Sequence, residues 1–152
     1  MPRARARDRS GRRRPPRGRR VPSSGVDGVR PARCVRAPGF VLTTQAVRGT
    51  HRITMTGEFS MVTTGLLDSA VATVYRRRIP GRPARGLVLD LTEVTFLDVM
   101  GVRSLQRAYE RADRSGGVRV GLPVGAGPRR LIEIAVDHGW LSSAFCPSIP
   151  TW

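Results

Sequence analysis

Residues Gly86 to Gly101, GLVLDLTEVTFLDVMG, constrain this chain more than any other stretch. Leu87-Val88-Leu89, broken by Asp90 and resumed at Leu91, is a short aliphatic run. Such a run reads as a strand buried on both faces, as in a parallel or mixed sheet covered by helices. Thr92-Glu93 then reads as a turn, and Val94-Thr95-Phe96-Leu97 as a segment returning to the sheet edge, stopped by Asp98. Asp98 is a good helix N-cap, because its carboxylate can accept from the backbone N–H of Met100 or Gly101. Downstream, Val102, Leu105, Tyr109 and Ala112 recur at steps of three and four, which makes one apolar helix face. Strand, short loop and helix N-terminus together bring free N–H groups and a positive dipole end to an exposed corner. That corner is the first place to look for function.

The same residues resemble the STAS domain family, the sulphate-transporter and anti-sigma-factor-antagonist domains. The family's central stretch is an apolar strand ending in an aspartate, a short apolar segment, then Asp-Ser-Ser/Thr-Gly opening a helix. Here Asp98 falls on the family's aspartate and Gly101 on its glycine, while Val99 and Met100 hold the two hydroxyl positions between them. In antagonist members the first of those positions is the serine that a partner kinase phosphorylates. The resemblance therefore implies an antagonist without its phosphoacceptor. It extends from about Phe40 to Trp140. Gly57-Glu58-Phe59-Ser60 stands where the family commonly carries Gly-Glu-Leu-Asp, and PRRLIEIAVDHGW is similar to its late helix. After Trp140 the likeness fades, and the family's last helix is expected to be absent.

At 152 residues a single domain is expected, burying roughly 70% of the surface of its unfolded chain. The net charge of +16 is unevenly spread, and all 27 basic residues are Arg. Residues 1–36 hold 13 Arg against Asp8 and Asp27, a net +11; the remainder holds 14 Arg against nine acids, a net +5. The first segment, rich in Arg, Pro, Gly and Ser, has almost nothing to bury and reads as a disordered arm over 1–37 ahead of a domain over 38–152. Such an arm can contact phosphates, but it lacks the interleaved aromatics that stack on bases. The plainer readings are a solvated tail, or a translation start set too far upstream of a protein beginning near Val41. No apolar run follows its Arg residues, so it is no signal peptide. No segment reaches the ~18 apolar residues of a membrane helix. Cys34 and Cys146 stand far apart without CxxC spacing, as expected for reduced thiols in a cytoplasmic protein.

The folded part begins around Phe40: Phe40-Val41-Leu42 and Gln45-Ala46-Val47 flank a first strand, Arg48-Gly49-Thr50 reads as a turn, and His51–Thr56 as a half-buried antiparallel strand with Ile53 and Met55 on one face. Ser60 is placed to cap a helix from about Met61 to Arg77, with Val62, Leu66, Leu67, Ala70, Val71 and Val74 facing the core. Arg76, Arg77 and Arg78 favour its C-terminal end, which Pro80-Gly81 closes. A second helix ends at Ser115-Gly116-Gly117, carrying Arg103, Arg107, Arg111 and Arg114 outward with Glu110 spaced to pair with Arg114. That Arg row is a solvated face or a docking surface for an acidic partner. Val118–Leu122 reads as a strand and Gly125-Ala126-Gly127 as a loop without the P-loop pattern. A third helix follows from Pro128 to His138.

His51 and His138 are isolated from any metal-ligand or nucleophile–base spacing. Asp90 and Asp98, eight residues apart, can be read as a carboxylate pair, but a strand-end aspartate and an N-cap account for both. No enzyme activity, cofactor or metal is expected. The fold class is α/β: a single STAS-like domain, with a mixed sheet of four or five strands covered mainly on one face by helices near 61–77, 99–115 and 128–138. The resemblance implies a protein-binding regulator that docks on an anti-sigma factor, one form of which has a GHKL-type kinase fold, and so releases a sigma factor. The contact residues it implies are Asp98, Val99, Met100 and Gly101, with Arg103 and Arg107 beside them. Ser104, the nearest later hydroxyl, lies more than a turn into the helix. Two other classes stand beside this one: a nucleic-acid-associated protein acting through residues 1–36, and a STAS subunit of a transporter or stress-sensing complex.

Overall fold

A computed structural model describes residues 32–76 and 86–146. The Pro80-Gly81 helix stop, Arg77, Arg78 and nearly all of the basic arm lie outside these residues. Five strands form one sheet: β1 (Arg33–Ala37), β2 (Phe40–Val47), β3 (Thr50–Phe59), β4 (Leu87–Leu97) and β5 (Val118–Gly121), in that spatial order. β1, β2 and β3 are antiparallel neighbours, whereas β4 runs parallel to β3 and β5 parallel to β4. The sheet is therefore mixed, with hairpins on one side and helical crossovers on the other. β1 lies within the segment expected to be an arm, so the ordered chain starts before Pro38. Its side chains are mostly exposed, which is why no hydrophobic pattern announced it.

The β2–β3 hairpin turns at Arg48 (φ 45°) and Gly49 (φ 84°). Positive φ at both central positions gives the twist that a two-residue hairpin loop requires. Ile53 and Met55, one face of β3, are fully buried. Phe40 and Phe59 stack across the β2–β3 pair with ring centroids 5.5 Å apart.

The turn expected at Thr92-Glu93 is absent: Leu87 to Leu97 is one continuous strand. Its buried residues are Leu87, Leu89, Leu91, Val94 and Leu97, a spacing of two, two, three and three. Register explains the change. Thr54 and Thr56 of β3 face Asp90 and Glu93 of β4, and Gly57 and Glu58 face Val94 and Phe96, so β4 carries one extra residue at each of two places. Each bulge adds a residue and resets which side chains point inward. At the first bulge the Asp90 carboxylate accepts from both the N–H and the hydroxyl of Thr92, at 3.2 and 2.7 Å.

Three helices cover the apolar face: α1 (Thr64–Arg76), α2 (Val99–Gly116) and α3 (Ala126–Asp137). α1 starts three residues later than expected. Ser60 opens a turn instead, its carbonyl accepting from the N–H of Thr63 and Thr64, and Val62 is 84% exposed rather than in the core. The pairing expected between Glu110 and Arg114 takes another form, with Arg114 Nε donating to the Glu110 backbone carbonyl while Gln106 donates to the Glu110 carboxylate. α3 absorbs Ala126 and Gly127, so the glycine loop is helical from Ala126. The chain after Trp140 forms no long helix within the described residues, yet it is part of the core. Leu141 and Phe145 are buried, Phe145 in a single 3-10 turn (Ser143–Phe145) against Tyr109, and the Ser142 N–H donates to Gln106 of α2.

Candidate functional site

The C-terminal ends of the parallel strands converge on the start of α2. Asp98 caps that helix as expected, its Oδ1 accepting from the Gly101 N–H at 2.7 Å. Its second oxygen is also engaged: Oδ2 accepts from the Met61 N–H at 2.8 Å, across 37 residues of sequence. The Asp98 N–H in turn donates to the Phe59 carbonyl. One carboxylate thus ties the β3–α1 turn to the β4–α2 corner, and the helix N-terminus is occupied by the chain's own anion.

Gly101 is buried where α2 meets the end of β3. A Cβ there would lie 2.7 Å from Leu97 Cδ1 and 2.9 Å from the Phe59 carbonyl oxygen. Close packing of helix on strand requires the glycine.

Val99 and Met100, between these two fixed residues, point outward and are 47% and 37% exposed. The neighbouring turn adds Met61 and Val62, both more exposed, and Phe96 lies exposed just before the corner. Single exposed apolar residues are ordinary on a surface, whereas several gathered at one corner make it a candidate interaction site. Sequence periodicity missed Met61 and Val62, since Val62 fits the helical repeat of α1; only the tie from Asp98 shows that the turn belongs to the corner.

The two arginines expected beside the corner differ. Arg103 is exposed on α2, whereas Arg107 is held by Asp68 of α1 at 3.0 Å, both side chains about half exposed. An ion pair that open contributes at most about 1 kcal/mol. The Asp68 carboxylate also accepts from Ser104 Oγ at 3.1 Å, and Ser104 is fully buried between α1 and α2. Its hydroxyl is therefore structural and inaccessible.

The other polar candidates have local roles. Asp90 braces the β4 bulge, and His138 Nδ1–H donates to the Ile134 carbonyl at 2.9 Å, capping the end of α3. Asp90 and Asp98 each have these separate engagements, and nothing joins them as a pair. Among the described residues no group of three or more His, Cys, Asp or Glu gathers, and no helix is long and apolar enough to cross a membrane. Cys34 and Cys146 are unpaired.

Comparison with known proteins adds two findings. Residues 42–129 match the family model of the STAS domain. The chain is also similar to the crystal structure of an anti-sigma factor antagonist from Mycobacterium paratuberculosis, with 27% identity and a TM-score of 0.56 over 71% of this chain and 88% of that one. No curated protein matches the sequence.

Proposed function

The chain belongs to the STAS domain family, and from that premise we propose that it is a protein-binding regulator of the anti-sigma-factor-antagonist kind. Its α2 corner docks on an anti-sigma factor and thereby frees a sigma factor. The exposed apolar pair Val99-Met100, set between a capping aspartate and a packing glycine, carries the reading. The similarity to a solved anti-sigma factor antagonist supports the same class of partner. Asp98 and Gly101 fix the corner, Val99 and Met100 contact the partner, and Arg103 meets an acidic group at the rim. Arg107, bound to Asp68, contributes less.

The reading includes a lack of phosphorylation control. A phosphoryl group carries about −1.5 to −2 charges at neutral pH and changes a docking surface by its charge alone. Val99 and Met100 carry no hydroxyl, Ser104 is buried, and the hydroxyls of Thr63 and Thr64 donate to backbone carbonyls of their own turn. Binding is then governed by abundance or by the state of the partner, including a partner with a GHKL-type kinase fold.

The test is to titrate the chain with anti-sigma factors from its own genome, with and without ATP, and measure affinity and phosphate incorporation. Expected are binding that ATP does not abolish and no stoichiometric phosphate on the chain. Stoichiometric phosphorylation with loss of binding overturns the unswitched reading, and absence of binding to every anti-sigma factor overturns the docking reading. A Val99→Ser variant is expected to gain phosphate from a kinase-type partner, because the hydroxyl then stands at the helix N-terminus.

A further inference from the structure

The double engagement of Asp98 reaches beyond capping. A capping aspartate needs one oxygen for its own helix, and Oδ1 serves Gly101. Oδ2 is spent on Met61, a residue of another loop, at 2.8 Å. The two residues at the tip of the turn have no burial of their own to place them: Met61 is 64% exposed and Val62 more so. Thr63 is the buried member of the turn, its hydroxyl donating to the carbonyls of Glu58 at the end of β3 and of Ser60, which fixes the turn to its own strand rather than to α2. Among the described hydrogen bonds, the side chain that ties the tip of this turn, at Met61, to the corner bearing Val99 and Met100 is Asp98.

We infer that Asp98 is a positioning residue for docking: its carboxylate joins the 60–63 turn to the α2 corner, so that Met61 and Val62 form one apolar docking surface with Val99 and Met100. The inference rests on the docking reading above, and it identifies the partner's contact as chiefly apolar. With Arg107 tied to Asp68 and the Asp98 charge satisfied by two N–H groups, little charge remains at the centre of the surface.

Asp98→Asn separates the two bonds. Asparagine has a single carbonyl oxygen, and its NH2 group cannot accept, so one of the two N–H donors loses its partner. In the free chain, amide exchange at Met61 is expected to accelerate about tenfold, while Ile53 in the buried part of β3 stays protected. Faster exchange at Gly101 in place of Met61 means that the one remaining oxygen has stayed with Met61, which also supports the clasp, whereas unchanged exchange at both overturns it whether or not a partner is known. Binding is then read against an anti-sigma factor that captures the parent chain. Asp98→Asn is expected to weaken binding about tenfold, and a Met61→Ala, Val62→Ser pair by a similar factor. If Asp98 acts through the turn, the triple variant loses far less than the roughly hundredfold that independent effects give. A fully multiplicative loss, or a turn pair that binds like the parent, overturns the positioning role. If the parent binds no anti-sigma factor, the docking reading falls with the positioning role, while the exchange data still decide the clasp.

Discussion

At two single residues, Tyr75 and Gly101, opposing local effects can be weighed against each other. The Tyr75 hydroxyl is buried with no hydrogen-bond partner among the described residues. Burial pushes its pKa above the ordinary 10.0, with the Arg111 guanidinium opposing the shift. The folded state therefore favours the neutral phenol. That contribution is complete below the ordinary tyrosine range and is lost as pH rises through the raised folded value. Stability should fall above about pH 10, and Tyr75→Phe should flatten the fall. At neutral pH the same variant should be as stable as the parent or up to about 1 kcal/mol more so, since it removes an unsatisfied buried group. Denaturant melts at pH 7 and above pH 10 check both; a large loss at pH 7 would mean that the hydroxyl has a partner. At Gly101 two effects oppose. Alanine is the better helix former by about 1 kcal/mol, but its Cβ would press on the Phe59 backbone oxygen, which cannot swing away as a side-chain tip can. Overpacking of this kind costs about 1–3 kcal/mol, so Gly101→Ala should lower the melting temperature rather than raise it.

At the scale of elements, β4 holds the sheet together, lying between β3 and β5. Leu89, fully buried where β4 pairs with both β3 and β5, should cost about 2–5 kcal/mol when cut to alanine, because the cavity cannot close inside a strand paired on both sides. An unfolding midpoint equal to the parent's would refute that. β4 also shows what was legible beforehand and what was not. Leu87, Leu89 and Leu91 follow the strand period and were readable as buried. Val94 and Leu97 stand out of phase because each bulge adds a residue, and a period-two reading takes such a break for a turn. Helix α2 was readable almost to the residue, since Asp98, the 102–105–109–112 face and the terminal glycines agree. Helix α1 was not, because Val62 fits the helical repeat while Thr63 diverts the chain into a turn. The corner residues Asp98 to Gly101 were named from sequence, and the bond from Asp98 to Met61 was not, because no local pattern encodes a contact across 37 residues.

The whole molecule divides its charge and its packing unequally, which suggests a pair of truncations. Residues 1–31 carry 11 Arg against two Asp, whereas the sheet and helices bury an ordinary aliphatic core. A chain beginning at Ala32 keeps β1 and every core residue described here, so it should melt within about 4 °C of the parent, a shift corresponding to less than about 1 kcal/mol. A chain beginning at Pro38 loses β1. Its exposed side chains contribute little, but its pairing with β2 from Arg33↔Thr44 to Ala37↔Phe40 disappears. A further loss of about 1 kcal/mol, or roughly 4–8 °C, is expected. The edge of β2, with Val41 and Leu42, is then open to pairing with another chain, so this shorter form should also associate with rising concentration. The same pair of truncations separates two roles. If the basic segment serves a polyanion, the Ala32 form should lose salt-sensitive affinity for duplex DNA while keeping its affinity for an anti-sigma factor. The proposed docking corner joins the sheet at β3 through Phe59, and β2 stands between β3 and β1. Loss of anti-sigma binding in the Ala32 form, with its melting temperature intact, would instead assign partner recognition to the basic segment and overturn the corner as the principal contact.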